Sequence, residues 1–145
     1  EKNTLSIDTY IENLRYALDE TERTILIEPI SPKAIAGYFL SDLKLALSIL
    51  SAIDHPRLKL MFDFFHTQEI STHDTFELFI ELREHIGHVQ VSSHPLRNEP
   101  TDQIANLKRI NKSGYDGWLG CEYVPKATVE AGLRWRDRLK YESGD

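Results

Sequence analysis

The sequence predicts an α/β fold built on a parallel sheet, and three observations support this. Segments with apolar residues at helical spacing alternate with short β-branched or aromatic runs along nearly the whole chain. The intervening segments are long enough to carry the chain back across a sheet, which makes neighbouring strands parallel with right-handed crossovers. Each short run also closes on one polar side chain, at the strand end where parallel α/β sheets place their ligand sites.

The elements follow in order. Residues 7–20, IDTYIENLRYALDE, set Ile7, Tyr10, Ile11, Leu14, Ala17 and Leu18 on one face of a helix and charges on the other. TILIEPI, 24–30, is short, β-branched and stopped by Pro29, so it reads as a buried strand. A loop containing GYFL leads to a helix over 41–53 with Ser41 as its cap, and then to the strand LKLMFDF. A helix over 73–85, with Asp74 and Glu77 spaced as a capping box, precedes the strand IGHVQVS. A helix over 101–113, closed by Gly114, precedes WLGCEY, and a last helix covers 127–140. No linker or low-complexity segment interrupts this order, so residues 1–145 are expected to form a single domain.

Composition narrows the functional class. With 145 residues, 41% of them hydrophobic, the chain is long enough to bury a core. Seventeen basic against twenty-three acidic residues give a net charge of −6, which disfavours nucleic acid as a partner. No apolar run approaches the roughly 18 residues of a membrane span, and no basic stretch leads into an apolar signal segment. The single cysteine, Cys121, fits a reducing compartment, and a cytoplasmic location is the expectation.

The polar strand ends are Glu28, Asp63, Gln90 and Glu122, each about one βα unit, roughly 30 residues, from the last. Four adjacent strands would bring three carboxylates and an amide carbonyl to one place. Such a set suits a hard divalent cation, Mg²⁺ or Mn²⁺, rather than tetrahedral zinc. Without a cation the carboxylates would repel, and at least one would take up a proton. Any one of these acids alone would more often be a cap or a solvated side chain; the recurrence singles them out. His66 alone reads as a loop histidine and Arg97 as a surface side chain. His88, two residues before Gln90 on the same strand face, is a candidate substrate contact or an interior histidine.

Read together, ILIEPI, GYFL, HPRLKLMFDFFHTQ, IGHVQVSSHPLRNEP and GYDGWLGCEYVP resemble the C-terminal half of the hydroxypyruvate isomerase family, one of the xylose isomerase-like TIM barrels. The motifs run from about Tyr10 to Pro125 in the same order and at similar spacing. The resemblance implies strands five to eight of a (βα)₈ barrel, with the metal held by Glu28, Asp63, Gln90 and Glu122. It also implies Glu28 and Glu122 as the acid/base pair, and His66 and Arg97 as substrate contacts. The implied reaction interconverts hydroxypyruvate and 2-hydroxy-3-oxopropanoate (tartronate semialdehyde), a small hydroxy-oxo acid, through an enediolate. A metal-binding relative without turnover, a sugar epimerase or isomerase, and an endonuclease IV-type nuclease are the alternatives, the last set back by the acidic balance.

The chain departs from that pattern twice. A complete barrel needs roughly 250 residues and eight strands, and four strands alone leave two unpaired edges and an open interior face. A fragment, a shortened gene product and a homo-oligomer that completes itself all fit. After RNEP the chain passes directly to TDQIANL, where the family continues with a GTGE-like stretch, so the loop closing the site is expected to differ.

Overall fold

The computed structural model describes residues 4–140. Helix α1, Thr4–Glu20, leads to β1, Ile25–Ile27; α2, Leu43–Ile53, leads to β2, Leu58–Asp63. Two short helices follow, α3 over Phe64–Ile70 and α4 over Thr75–Glu81, and a 3₁₀ turn at Arg83–His85 enters β3, Ile86–Gln90. Helix α5, Ile104–Lys112, precedes β4, Leu119–Gly120. The described chain closes with α6 over Val129–Gly132, a 3₁₀ turn at Arg134–Arg136 and α7 over Asp137–Lys140. The strands lie side by side in chain order, β1-β2-β3-β4, and every pairing is parallel.

One sheet face carries the core. Leu58, Leu60 and Phe62 alternate along β2 and are buried together with Val89 of β3 and the helix residues Ile49, Phe79 and Ile110. Aromatic rings interlock across this layer: Phe62 meets Phe64 with centroids 5.4 Å apart, and Phe79 packs on Phe62, Phe64, Phe76 and Tyr115. The opposite face carries Lys59, Met61 and Asp63 from β2 and His88 and Gln90 from β3, the side that a closed barrel would turn inward.

A register slip sets which β3 residues face that side. Leu60 pairs with Ile86 but Met61 pairs with His88, leaving Gly87 as an extra residue on β3. The slip brings Gln90 level with Asp63. Only glycine fits there, because a Cβ at position 87 would lie 2.7 Å from both Leu26 Cδ2 and Lys59 Cβ.

Several local expectations are corrected. Asp42, not Ser41, caps α2: its carboxylate accepts from the Lys44 N–H at 2.7 Å. Half of the capping box forms, with Asp74 accepting from the Glu77 N–H at 2.9 Å, while the Glu77 carboxylate accepts from Arg109 at 2.8 Å. The expected helix over 73–85 is α4 plus a separate 3₁₀ turn. The apolar run into DFFH does not stay extended: Asp63 ends β2, accepts from the Phe65 N–H at 2.8 Å and so starts α3. The helix over 101–113 begins at Ile104, and Gly114 follows its cap with φ of 77°. Of WLGCEY only Leu119–Gly120 joins the ladder, and the last helix is broken into two short turns of α-helix around a 3₁₀ turn.

Candidate functional site

Each strand delivers its polar residue to the same rim. Asp63 and Gln90 are the last residues of β2 and β3 and pair in register. Glu28 is the first residue after β1, held where Pro29 stops the strand, and Glu122 lies two residues beyond Gly120 on β4. Because side chains alternate along an extended chain, Glu122 falls on the face of Gly120, the register partner of Gln90. The Gln90 amide Nε2 donates to Glu122 Oε2 at 3.0 Å.

Two groupings meet at this rim. Glu28, Asp63 and His66 offer one ligand atom each, all within 4.8 Å of one another. Gln90 and Glu122 form the second, and Arg97 joins the two: its Nη2 donates to Asp63 Oδ2 at 3.1 Å and lies 3.1 Å from Glu122 Oε2. The predicted metal set of Glu28, Asp63, Gln90 and Glu122 thus stands around one rim, with the guanidinium between its halves.

His66 is buried and turns Nε2 to the same rim. Its Nδ1 faces the Ser31 N–H at 3.3 Å and its Nε2 faces the Arg97 Nη1 donor at 3.0 Å, so two donors compete for the one accepting nitrogen of a neutral ring. Nε2 lies 3.8 Å from Asp63 Oδ2, 3.9 Å from Glu28 Oε1 and 3.0 Å from Arg97 Nη1. A metal-ligating histidine needs the lone pair on the nitrogen that faces the ion and an acceptor for its other N–H. Ser31 offers a donor instead. His66 therefore turns Nε2 to the rim, where Arg97 Nη1 already donates toward it.

The electrostatics follow from burial. Glu28 is pushed up to about 7, first by desolvation and then by the neighbouring Asp63 and Glu122, with Arg97 opposing. Burial likewise raises Asp63, against the pull of Arg97 and the Phe65 N–H. Burial lowers His66, outweighing Asp63, so the ring is neutral at pH 7. Two oxygens at the rim, Glu28 Oε1 and Gln90 Oε1, are buried with no hydrogen-bond partner. A hard divalent cation is an acceptable partner for both, so the donor set fits the group the sequence implies.

His88 shares the rim face but sits one step deeper, where its Nε2 would lie 2.8 Å from a Cβ at Gly120. It is half-buried on the sheet face that carries Gln90. Sequence reasoning did not single out Phe65, whose ring centroid lies 4.9 Å from Arg97 Cζ and 5.3 Å from the His66 ring. Its place directly before His66 in DFFH was the available signal.

A parallel α/β sheet with polar residues gathered at its C-terminal strand ends has the arrangement of one half of a (βα)₈ barrel. The profile described as xylose isomerase-like TIM barrel matches residues 2–139, and the chain belongs to that family. It is 38% identical over 136 residues to the hydroxypyruvate isomerase of Escherichia coli (89% of this chain, 52% of that protein). It is 37% identical over 139 residues to a 2-oxo-tetronate isomerase of Pectobacterium atrosepticum (89% and 52%). The crystal structure of an AP endonuclease, family 2, from Brucella melitensis superposes with a TM-score of 0.84 at 32% identity, covering 91% of this chain and 54% of that one. The chain spans about half the length of the curated relatives it matches. Among the described residues, no helix is long and apolar enough to cross a membrane.

Proposed function

We propose that this chain carries the metal-binding half of an isomerase acting on a small hydroxy-oxo acid, with hydroxypyruvate as the first substrate to test. The observation that carries this is the convergence of Glu28, Asp63, Gln90 and Glu122 on one rim, with a carboxyl at Glu28 that titrates near neutrality. Residues 1–145 act as one partial-barrel domain in this reading.

Glu28 is suited to proton transfer by its place, at the rim beside Asp63 and His66 where β1 ends. In the proposed reaction a carboxylate removes a C–H proton from the hydroxymethyl carbon, leaving an enediolate. Protonation of the former carbonyl carbon completes the exchange, while the hydroxyl proton passes to the neighbouring oxygen. Glu28 and Glu122 reach the rim from opposite ends of the four-stranded sheet and serve as the acid/base pair. His66 contacts a substrate oxygen through Nε2, and the Arg97 guanidinium meets the substrate carboxylate. Asp63, Gln90 and the two glutamates would hold Mg²⁺ or Mn²⁺, which supplies Lewis-acid stabilisation of negative charge on the substrate oxygens.

A second reading is a relative that binds the cation but does not turn over. It is favoured by the open setting of Glu122, whose side chain is 61% exposed. Isomerisation of hydroxypyruvate in Mg²⁺ or Mn²⁺, with Glu122→Gln as control, separates the two. Turnover that is lost in the variant supports the isomerase. Turnover unchanged in Glu122→Gln removes the assigned role of Glu122. Cation binding with no isomerisation of three-carbon or sugar substrates supports the second reading.

A further inference from the structure

We infer that Glu69 is a positioning residue that holds the loop carrying Arg97 over the rim. Glu69 lies on α3 and joins three segments that follow three different strands. One carboxylate oxygen pairs with His94 Nε2, and the other pairs with Lys33 Nζ at 2.7 Å. Lys33 belongs to the loop after β1 and His94 to the loop after β3. The Glu69 side chain is only 9% exposed, whereas that of Lys33 is 77% exposed. The buried carboxylate is therefore the fixed point, and Lys33 reaches in from solvent. Hydrogen bonds from Lys33 and His94 hold its carboxyl below the usual range, so it is anionic where it meets both.

The path from Glu69 to Arg97 is short and closed. The Arg97 N–H donates to Ser93 O at 2.9 Å, and the Ser93 N–H donates to Asn98 O at 3.0 Å, making one tight loop of residues 93–98. Arg97 sits in the left-handed region, with φ of 52°, so its side chain leaves the loop in a direction fixed by the loop itself. His94 and Arg97 both rest on Phe65, with the His94 centroid 5.8 Å and Arg97 Cζ 4.9 Å from that ring. The loop backbone is also tied by the His94 N–H to Asp102 Oδ2 at 3.0 Å and by the Val124 N–H to Arg97 O at 2.8 Å, so releasing His94 from Glu69 frees its imidazole from Phe65 and loosens the guanidinium stacked on the same ring. The role rests on Arg97 serving the proposed site.

The test uses nuclear magnetic resonance of the arginine side chains, assigned with Arg97→Lys, in the full chain without cation or substrate. The wild type is expected to show the Arg97 δ-methylene protons shifted upfield by the Phe65 ring and its guanidinium protons protected from exchange. Glu69→Ala is expected to lose both signatures, Glu69→Gln to keep most of the shift, and Lys33→Ala to leave it unchanged. Should Glu69→Ala not fold, His94→Ala takes its place with the same expected loss. Arg97 signals that stay upfield and protected in a folded Glu69→Ala or His94→Ala variant would overturn the inference. Since the readout needs neither metal nor turnover, its failure leaves the isomerase reading standing, and failure of that reading leaves the positioning result intact.

Discussion

Cation binding at the rim should compete with one proton on Glu28. That carboxyl titrates at about 7 because it is partly buried beside Asp63 and Glu122. A ligand with that value is roughly 90% ionised at pH 8 and roughly 10% ionised at pH 6, so the apparent Mn²⁺ affinity should fall about tenfold between them. Calorimetric titration in buffers of different ionisation enthalpy measures both the affinity and the proton released. At pH 6 close to one proton should leave per cation bound, and at pH 8 close to none. Glu28→Gln should bind more weakly and lose this pH dependence. The same group fixes the sign for stability without cation: its folded value is raised above 4.5, so the stability it contributes is present at low pH and is lost as pH rises through about 7. An affinity equal at pH 6 and pH 8 with no proton released would refute the placement of Glu28 against the ion.

Three further outcomes follow. Gly87→Ala puts a Cβ 2.7 Å from Leu26 Cδ2 and Lys59 Cβ, and should cost roughly 1–3 kcal/mol in urea unfolding. It should also weaken cation binding, because the slip that faces Gln90 toward Asp63 is disturbed. Phe79→Ala removes a fully buried ring in contact with four others and should cost roughly 3–5 kcal/mol by the same measurement. Arg97→Ala takes a positive charge from 3.1 Å off two carboxylate oxygens, so Mn²⁺ should bind several-fold tighter while binding of a hydroxy-oxo acid weakens. Calorimetry with each ligand in turn reads the opposite signs.

The strand-to-rim logic was legible in the sequence because it rests on periodicity. Four short apolar runs at βα spacing gave the parallel order, and the polar residue closing each run gave Glu28, Asp63, Gln90 and Glu122. What was not legible lies between the strands. DFFH reads as a continuing apolar strand, because nothing local announces that Asp63 will spend one carboxylate oxygen capping α3. WLGCEY has the composition of a full strand, but only two residues pair, since β4 lies at the sheet edge with no further neighbour to extend the ladder. The final segment has helical spacing yet breaks around Arg134–Arg136. The bridging place of Arg97 depends on a left-handed backbone and on Phe65, two features 32 positions apart in the chain that no pattern of spacing connects.

The central claim is that the rim is a divalent-cation centre, and Asp63→Asn tests it most directly. Asparagine caps a helix about as well as aspartate, so α3 and the fold should persist while one charged ligand oxygen is lost. Calorimetric titration of Mn²⁺ at pH 8, with circular dichroism as the check on folding, should show one cation bound per wild-type chain and an affinity at least tenfold weaker in the variant. Equal binding in both proteins, or no binding to the wild type, would contradict the account.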